Sequence, residues 1–144
     1  MERIVDKIKI IDGNYTNEDA DYNVIRYALR HSNESPIGGT AVYPIDVEQA
    51  NTQFNNIKKR FGKLDGRKIF HLCLSYPDNT SETKTKALAD AKKLSESIGS
   101  HFQNVYGLHE DTDNIHVHFA INSVDYTNGR KITSEIITEL SDNF

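Results

Sequence analysis

Cysteine is almost missing from this sequence, with Cys73 standing alone among 144 residues. A single thiol has no intrachain partner, so no disulfide framework supports the fold and the usage suits a reducing compartment. Long apolar runs are missing as well. No stretch approaches the ~18 residues of a membrane span, and the N-terminus lacks the basic-then-apolar layout of a signal peptide. A cytoplasmic location without membrane insertion is therefore expected. Nor is there an excess of basic charge: 17 Lys and Arg stand against 21 Asp and Glu, a net charge of −4. This excludes a chain-wide electrostatic footprint for nucleic acid but leaves local patches open. Repeats, low-complexity stretches and Pro- or Gly-rich linkers are absent too, so residues 1–144 read as one domain. A chain of this length buries roughly 68 to 70% of the surface its unfolded form exposes, enough for a core that needs no staples.

What is present begins with a local basic run. Lys58, Lys59, Arg60, Lys63, Arg67 and Lys68 face a single acid, Asp65. Hydrophobic periodicity supplies the elements. Residues 3–11 read as a strand ended by Asp12-Gly13. Thr16 and Asp19 resemble a capping box opening a helix through about His31. Residues 32–39 read as a loop and 40–43 as a short strand. A helix is expected over 46–61, where Val47, Ala50, Phe54 and Ile57 share one face. Residues 67–76 alternate, with Phe70, Leu72, Leu74 and Tyr76 on one side and His71, Cys73 and Ser75 on the other, the pattern of a half-buried strand. A helix over 81–99, strands at about 103–109 and 115–124, and a final helix from about Ser134 complete the chain. The expected fold class is α+β: an antiparallel β-sheet with helices packed on one face, in a sandwich.

Chemistry concentrates in the last two strands. Side chains alternate with period two, so His116, His118, Ala120 and Asn122 share a face while Ile115, Val117, Phe119 and Ile121 take the other. Folding the hairpin about Thr112 and Asp113 puts His109 opposite His116 and Gly107 opposite His118, and cross-strand partners share a face. A bare His-x-His pair is most often polar surface. A third imidazole in register changes the balance, because three imidazoles with an open coordination position describe a catalytic metal site. Asp111 and Asp113 are candidates to orient a ligand's second nitrogen, or are simply turn-forming residues.

These residues carry a resemblance. HEDTDNIHVHFAIN (109–122) resembles the third motif of relaxases, the mobilisation nucleases of plasmids and conjugative elements, within the HUH endonuclease superfamily. FHLCLSY (70–76) is similar to their second motif and IRYALRHSNES (25–35) to their first. With GRKI (129–132), the resemblance spans about residues 20–135, in order. It implies that His109, His116 and His118 hold a divalent metal ion, Mn or Mg first, with Zn, Ni or Co acceptable to imidazole. It implies that Ser75 helps hold DNA and that the first motif supplies a tyrosine nucleophile. The implied activity is metal-dependent, site- and strand-specific DNA nicking by tyrosine transesterification through a 5′-phosphotyrosine, serving mobilisation or conjugative transfer in the bacterial cytoplasm. Implied partners are single-stranded DNA at a transfer origin, an accessory DNA-binding protein and a type IV secretion coupling protein. Relaxases usually continue past the point where this sequence stops, so C-terminal elements of the family are expected to be lacking.

Helix geometry separates the two tyrosines of the first motif. At ~100° per residue, Tyr22 clusters with Val24, Ile25, Ala28 and Leu29 on an apolar arc, while Tyr27 falls with Asn23, Arg26 and Arg30. An exposed tyrosine on a solvated face would be the plain reading of Tyr27. Beside a histidine site and two guanidinium groups able to hold phosphates, it becomes the expected nucleophile, with Asp111 as a second catalytic candidate. Expected DNA contacts are Arg26, Arg30, Lys58, Lys59, Arg60, Ser75, Asn122, Arg130 and Lys131. Tyr43, Tyr76 and Tyr106 are stacking candidates, although strand tyrosines are more often core. Three other functions compete. A rolling-circle replication initiator shares the metal site but carries its tyrosine after the histidine pair, whereas Tyr27 precedes it. A non-catalytic DNA-binding module would keep the site without cleavage, and a water-using hydrolase would leave no covalent adduct.

Overall fold

The computed structural model describes residues 7–11, 13, 15–30, 35–110 and 113–142. In chain order these form β1 (Lys7–Ile10), α1 (Ala20–Ala28), β2 (Ile37–Thr40), α2 (Val47–Arg60), β3 (Ile69–Ser75), α3 (Ser81–Gly99), β4 (Asn104–His109), β5 (His116–Asn122) and α4 (Ser134–Asp142). The strands make one five-stranded sheet in the order β1-β3-β5-β4-β2, and every neighbouring pair is antiparallel. The α+β class and the antiparallel sheet are as the sequence predicts.

Helices cover both faces of the sheet, where the sequence suggested one. On the first, Leu72, Leu74, Val117, Phe119 and Ile121 pack against Ala87, Ala91, Leu94 and Ile98 of α3 and Ile137 of α4. On the second, Ile69, Val105 and Ala120 meet Val24, Ile25 and Ala28 of α1 and Ala50 and Phe54 of α2. The physical reason lies in these small and branched residues on the nominally polar side. They leave apolar area that water would penalise, and two amphipathic helices remove it. For the same reason β3, expected to be half-buried, is buried on both faces through Cys73.

Helices α2 and α3 start where local chemistry says they should. The Asp46 carboxylate accepts from Gln49 N at 2.7 Å, and Thr80 Oγ1 accepts from Thr83 N at 3.1 Å, each satisfying an orphan donor of the first turn. Helix α1 departs from expectation. It starts at Ala20, and the Asp19 side chain makes no capping bond; residues 16–19 are turns and bends, and the capping box does not form. His31, its expected end, lies outside the described residues.

The second strand is also displaced, from the expected 40–43 to Ile37–Thr40, taking in a glycine pair that reads as loop. Pairing with β4 sets Gly38 opposite Tyr106 and Gly39 opposite Val105. A Cβ at Gly38 would stand 2.4 Å from Tyr106 Oη, and one at Gly39 2.5 Å from the Asn104 carbonyl oxygen. Close approach of the neighbouring strand, not turn chemistry, accounts for both glycines.

Candidate active site

The hairpin has the register its sequence predicts: His109 lies opposite His116 and Gly107 opposite His118. On the other flank of β5, β3 sets Cys73 opposite His118, Ser75 opposite His116 and His71 opposite Ala120. His71, Cys73, Ser75, His109, His116 and His118 therefore share one sheet face, and α1 comes down on it. Gly107 permits the approach, since a Cβ there would sit 2.1 Å from the Ala28 carbonyl oxygen. The last turn of α1 then carries Tyr27 over the imidazoles.

Tyr27 remains 42% exposed, with its ring centroid 5.4 Å from those of His71 and His109 and 5.0 Å from that of His118. The Arg30 guanidinium lies 5.0 Å over the Tyr27 ring, on its face, a cation–π arrangement. Arg30 Nε also donates to His109 Nδ1 at 3.1 Å. A guanidinium can only donate, so that nitrogen of His109 carries a lone pair. The proton sits on Nε2, which donates to the Ala28 carbonyl at 3.1 Å.

His118 is 9% exposed. Its Nδ1 lies 2.7 Å from Nε2 of His71, and its Nε2 lies 3.8 Å from Cys73 Sγ. Burial, then the neighbouring His109, His71, His116 and Arg30, pushes the His118 pKa down to about 2. Burial and His109 push that of His71 down to about 4. Both rings are neutral at ordinary pH, the form that coordinates a metal. His116 is half-buried, its ring 6.1 Å from that of His118. Donor type, protonation and backbone register all fit a divalent ion. As placed, however, the side chains serve protein partners, and among the described residues no group of three His, Cys, Asp or Glu converges on one point. His109 is the reason: Arg30 and Ala28 occupy both of its nitrogens.

A nuclease-domain family model, Relaxase: MobA/VirD2-like, matches residues 17–142. The chain belongs to this relaxase family. The Protein rlx of Staphylococcus aureus is 27% identical over 110 residues, which cover 76% of this chain and 32% of that protein. The chain thus spans about a third of that relative's length. No solved structure matches it. Among the described residues, no helix is long and apolar enough to cross a membrane.

The relaxase site gathers some of the expected residues and loses others. Arg30 stands beside Tyr27, Arg26 is exposed on the same helix, and Ser75 is half-buried opposite His116. Lys59, Arg60 and Arg130 are exposed, and Lys131 is half-buried, its Nζ donating to the Asp65 carbonyl at 2.6 Å. Lys59 also lines a separate polar cleft of about 580 Å³ with Asn51, Asn55 and Lys68. Asp111 lies outside the described residues, and Asp113 is exposed.

Lys58 and Asn122, expected on DNA, are both fully buried. Lys58 Nζ donates to Asp21 Oδ2 at 2.7 Å and to Asn122 Oδ1 at 2.6 Å. Lys58 falls four residues after Phe54 on the inward stripe of α2, so its head points into the protein, and Asp21 of α1 supplies the counter-charge. Burial works against both charges, raising the Asp21 pKa and lowering that of Lys58, and the pair persists because each neutralises the other. Tyr76 is not a stacking residue either: it is fully buried, and its Oη donates to Asp90 at 2.8 Å. Tyr106 packs on Phe119, on the face away from the histidines. Tyr43, at 86% exposed, remains available.

His71 is the site residue that sequence reasoning left without a role. The signal was present in the alternation of 67–76, which sets it on the same side as Ser75. Its meaning depended on β3 pairing with β5.

Proposed function

We propose that this chain is the nicking domain of a mobilisation relaxase, cutting one strand of DNA at a transfer origin by tyrosine transesterification. The observation that carries this reading is the seat of Tyr27: a half-open ring over His71, His109 and His118 with a guanidinium on its face. The Tyr27 oxygen attacks the scissile phosphorus in line as its proton passes to solvent. The new P–O bond replaces the bond to the 3′-oxygen, which takes a proton and leaves as a free hydroxyl, while the 5′-phosphate stays on Tyr27. One phosphodiester replaces another, so the step is close to isoenergetic and can run backwards to rejoin the strand.

Arg30 and Arg26 hold non-bridging phosphate oxygens by charge-assisted hydrogen bonds. His109, His116 and His118 would hold a divalent ion, Mn or Mg, once His109 exchanges a protein partner for it. Such an ion, when bound, polarises a phosphate oxygen and offsets developing charge. Asp111 is assigned to orient a ligand, on the resemblance of its motif. Ser75, Lys59, Arg60, Arg130, Lys131 and Tyr43 contact an extended single strand, the form in which a scissile phosphate is exposed. An accessory DNA-binding protein and a type IV secretion coupling protein act with it in the cytoplasm.

The test is incubation with single-stranded oligonucleotides from candidate origins and Mn²⁺, followed by denaturing electrophoresis and peptide mapping. A denaturant-resistant adduct on Tyr27 is expected. Tyr27→Phe removes only the attacking oxygen, so nicking and adduct vanish while oligonucleotide binding survives. An adduct on Tyr22 would overturn the assignment of the nucleophile. Cleavage without an adduct that persists in Tyr27→Phe would indicate water attack, and binding without cleavage a non-catalytic module.

A further inference from the structure

Four histidines, rather than three, meet at this site, and the fourth touches both reactive groups. His71 is 8% exposed. Its ring centroid lies 5.4 Å from that of Tyr27, and its Nε2 lies 2.7 Å from His118 Nδ1. Two imidazole nitrogens at that separation share one proton, since burial keeps both rings neutral. Two arrangements satisfy the bond. If His71 donates from Nε2, Nδ1 of His118 is the acceptor, its proton sits on Nε2, and His118 has no lone pair free for a metal ion. If His118 donates from Nδ1, its Nε2 keeps a lone pair, and His71 carries its own proton on Nδ1.

Only the second arrangement makes His118 a ligand. The Cys73 thiol 3.8 Å from His118 Nε2 agrees with it, because a thiol is a weak donor and an imidazole lone pair accepts it. The ring of His71 is held by burial on β3 and by the ring of Tyr27, so its Nε2 is a fixed acceptor rather than a passing one. We propose that His71 is a positioning residue: it accepts the Nδ1–H of His118 and thereby fixes Nε2 of His118 as the coordinating nitrogen. This rests on the reading of His118 as a metal ligand. A ligating histidine whose second nitrogen is held by the protein has its tautomer and ring orientation set before metal arrives.

Two variants separate the hydrogen bond from ring packing. His71→Phe keeps an aromatic ring against Tyr27 and removes the acceptor, while His71→Gln restores an acceptor oxygen and removes the ring. Long-range ¹H–¹⁵N NMR of the metal-free protein should show His118 protonated at Nδ1 in the wild type and a mixture of tautomers in His71→Phe. Mn²⁺ affinity by calorimetry should fall by about 10- to 100-fold in His71→Phe and partly return in His71→Gln, with thermal unfolding checking that each variant folds. A wild-type His118 proton on Nε2 overturns the proposal, and this measurement stands even if neither variant folds. Unchanged Mn²⁺ affinity in a folded His71→Phe overturns it as well. If Mn²⁺ fails to bind the wild type, the metal reading falls and the proposal with it. Wild-type binding that His71→Phe leaves intact sinks the proposal alone, and adduct mapping to Tyr27 judges the nicking reaction independently of both.

Discussion

The same three strands present two very different faces. Against α3 the contribution is Leu72, Leu74, Val117, Phe119 and Ile121, all fully buried. Polar groups on that side are confined to pairs such as Tyr76 with Asp90 and Ser95 with Asn104. Against α1 and α2 the same strands contribute His71, Cys73, His118 and Asn122, joined by Lys58 and Asp21. The first face is held by area, each buried Leu or Phe supplying ~1.5–3 kcal/mol whatever its exact neighbour. The second is held by specific partners, since a buried polar group is costly unless it is bonded. Apolar burial on one side lets the other carry groups that chemistry needs and that packing alone would reject.

The largest expected effect comes from breaking the polar face at its charged pair. Lys58→Met leaves Asp21 and Asn122 buried without their cation, a loss of about 3–5 kcal/mol by denaturant unfolding. Adding Asp21→Leu should recover much of it. Equal losses in single and double variants would mean that the pair is not coupled. The apolar face should respond differently. Leu94→Ala is expected to cost about 2–5 kcal/mol through lost transfer energy and a cavity, while adduct yield per folded molecule is unchanged; a drop in that yield would show that the two faces are not separable.

A smaller effect tests the basic run, now without Lys58. Reversing Lys59 and Arg60 to Glu should weaken oligonucleotide binding for all sequences and lower its salt slope by about 1, read by filter binding across salt concentrations. An unchanged slope would return these residues to an ordinary solvated helix end. The smallest effect lies at the start of α3. Hydrogen bonds from Thr83 and Thr80 hold the Asp78 pKa below its ordinary 3.8. The folded state therefore binds this proton less readily than the unfolded chain, so the stabilisation is full above pH 3.8 and is lost as pH falls through the folded value. Asp78→Asn should flatten that part of the acid unfolding curve and leave the neutral-pH site untouched.

Much of this contrast was legible in the chain, and the illegible part has a common cause. Helices α2 and α3 lie within a residue of their expected spans because caps and 3.6-residue periodicity are local. The His109–His116 register was legible because side chains alternate with period two about a short turn. The strand at Gly38 and Gly39 was not, since its glycines answer to Tyr106 and Asn104 across the ladder rather than to their neighbours. Lys58 was misplaced in the same way: a lysine in a basic run looks solvated until another helix brings Asp21 to it.

Sequence alone determined the helices, the alternating strands, the hairpin register of three histidines and the motifs that mark the relaxase family. All of these depend on residues within a few turns of one another. Tertiary structure decided how α1 sits. Gly107 admits the Ala28 carbonyl, and His109 bonds it across 81 residues of chain. That contact sets Tyr27 over the imidazoles, turns His71 from one polar residue of a strand into the partner of His118, and takes Lys58 out of solvent. No local pattern encodes such contacts, because they exist only once separate elements have packed and excluded water between them.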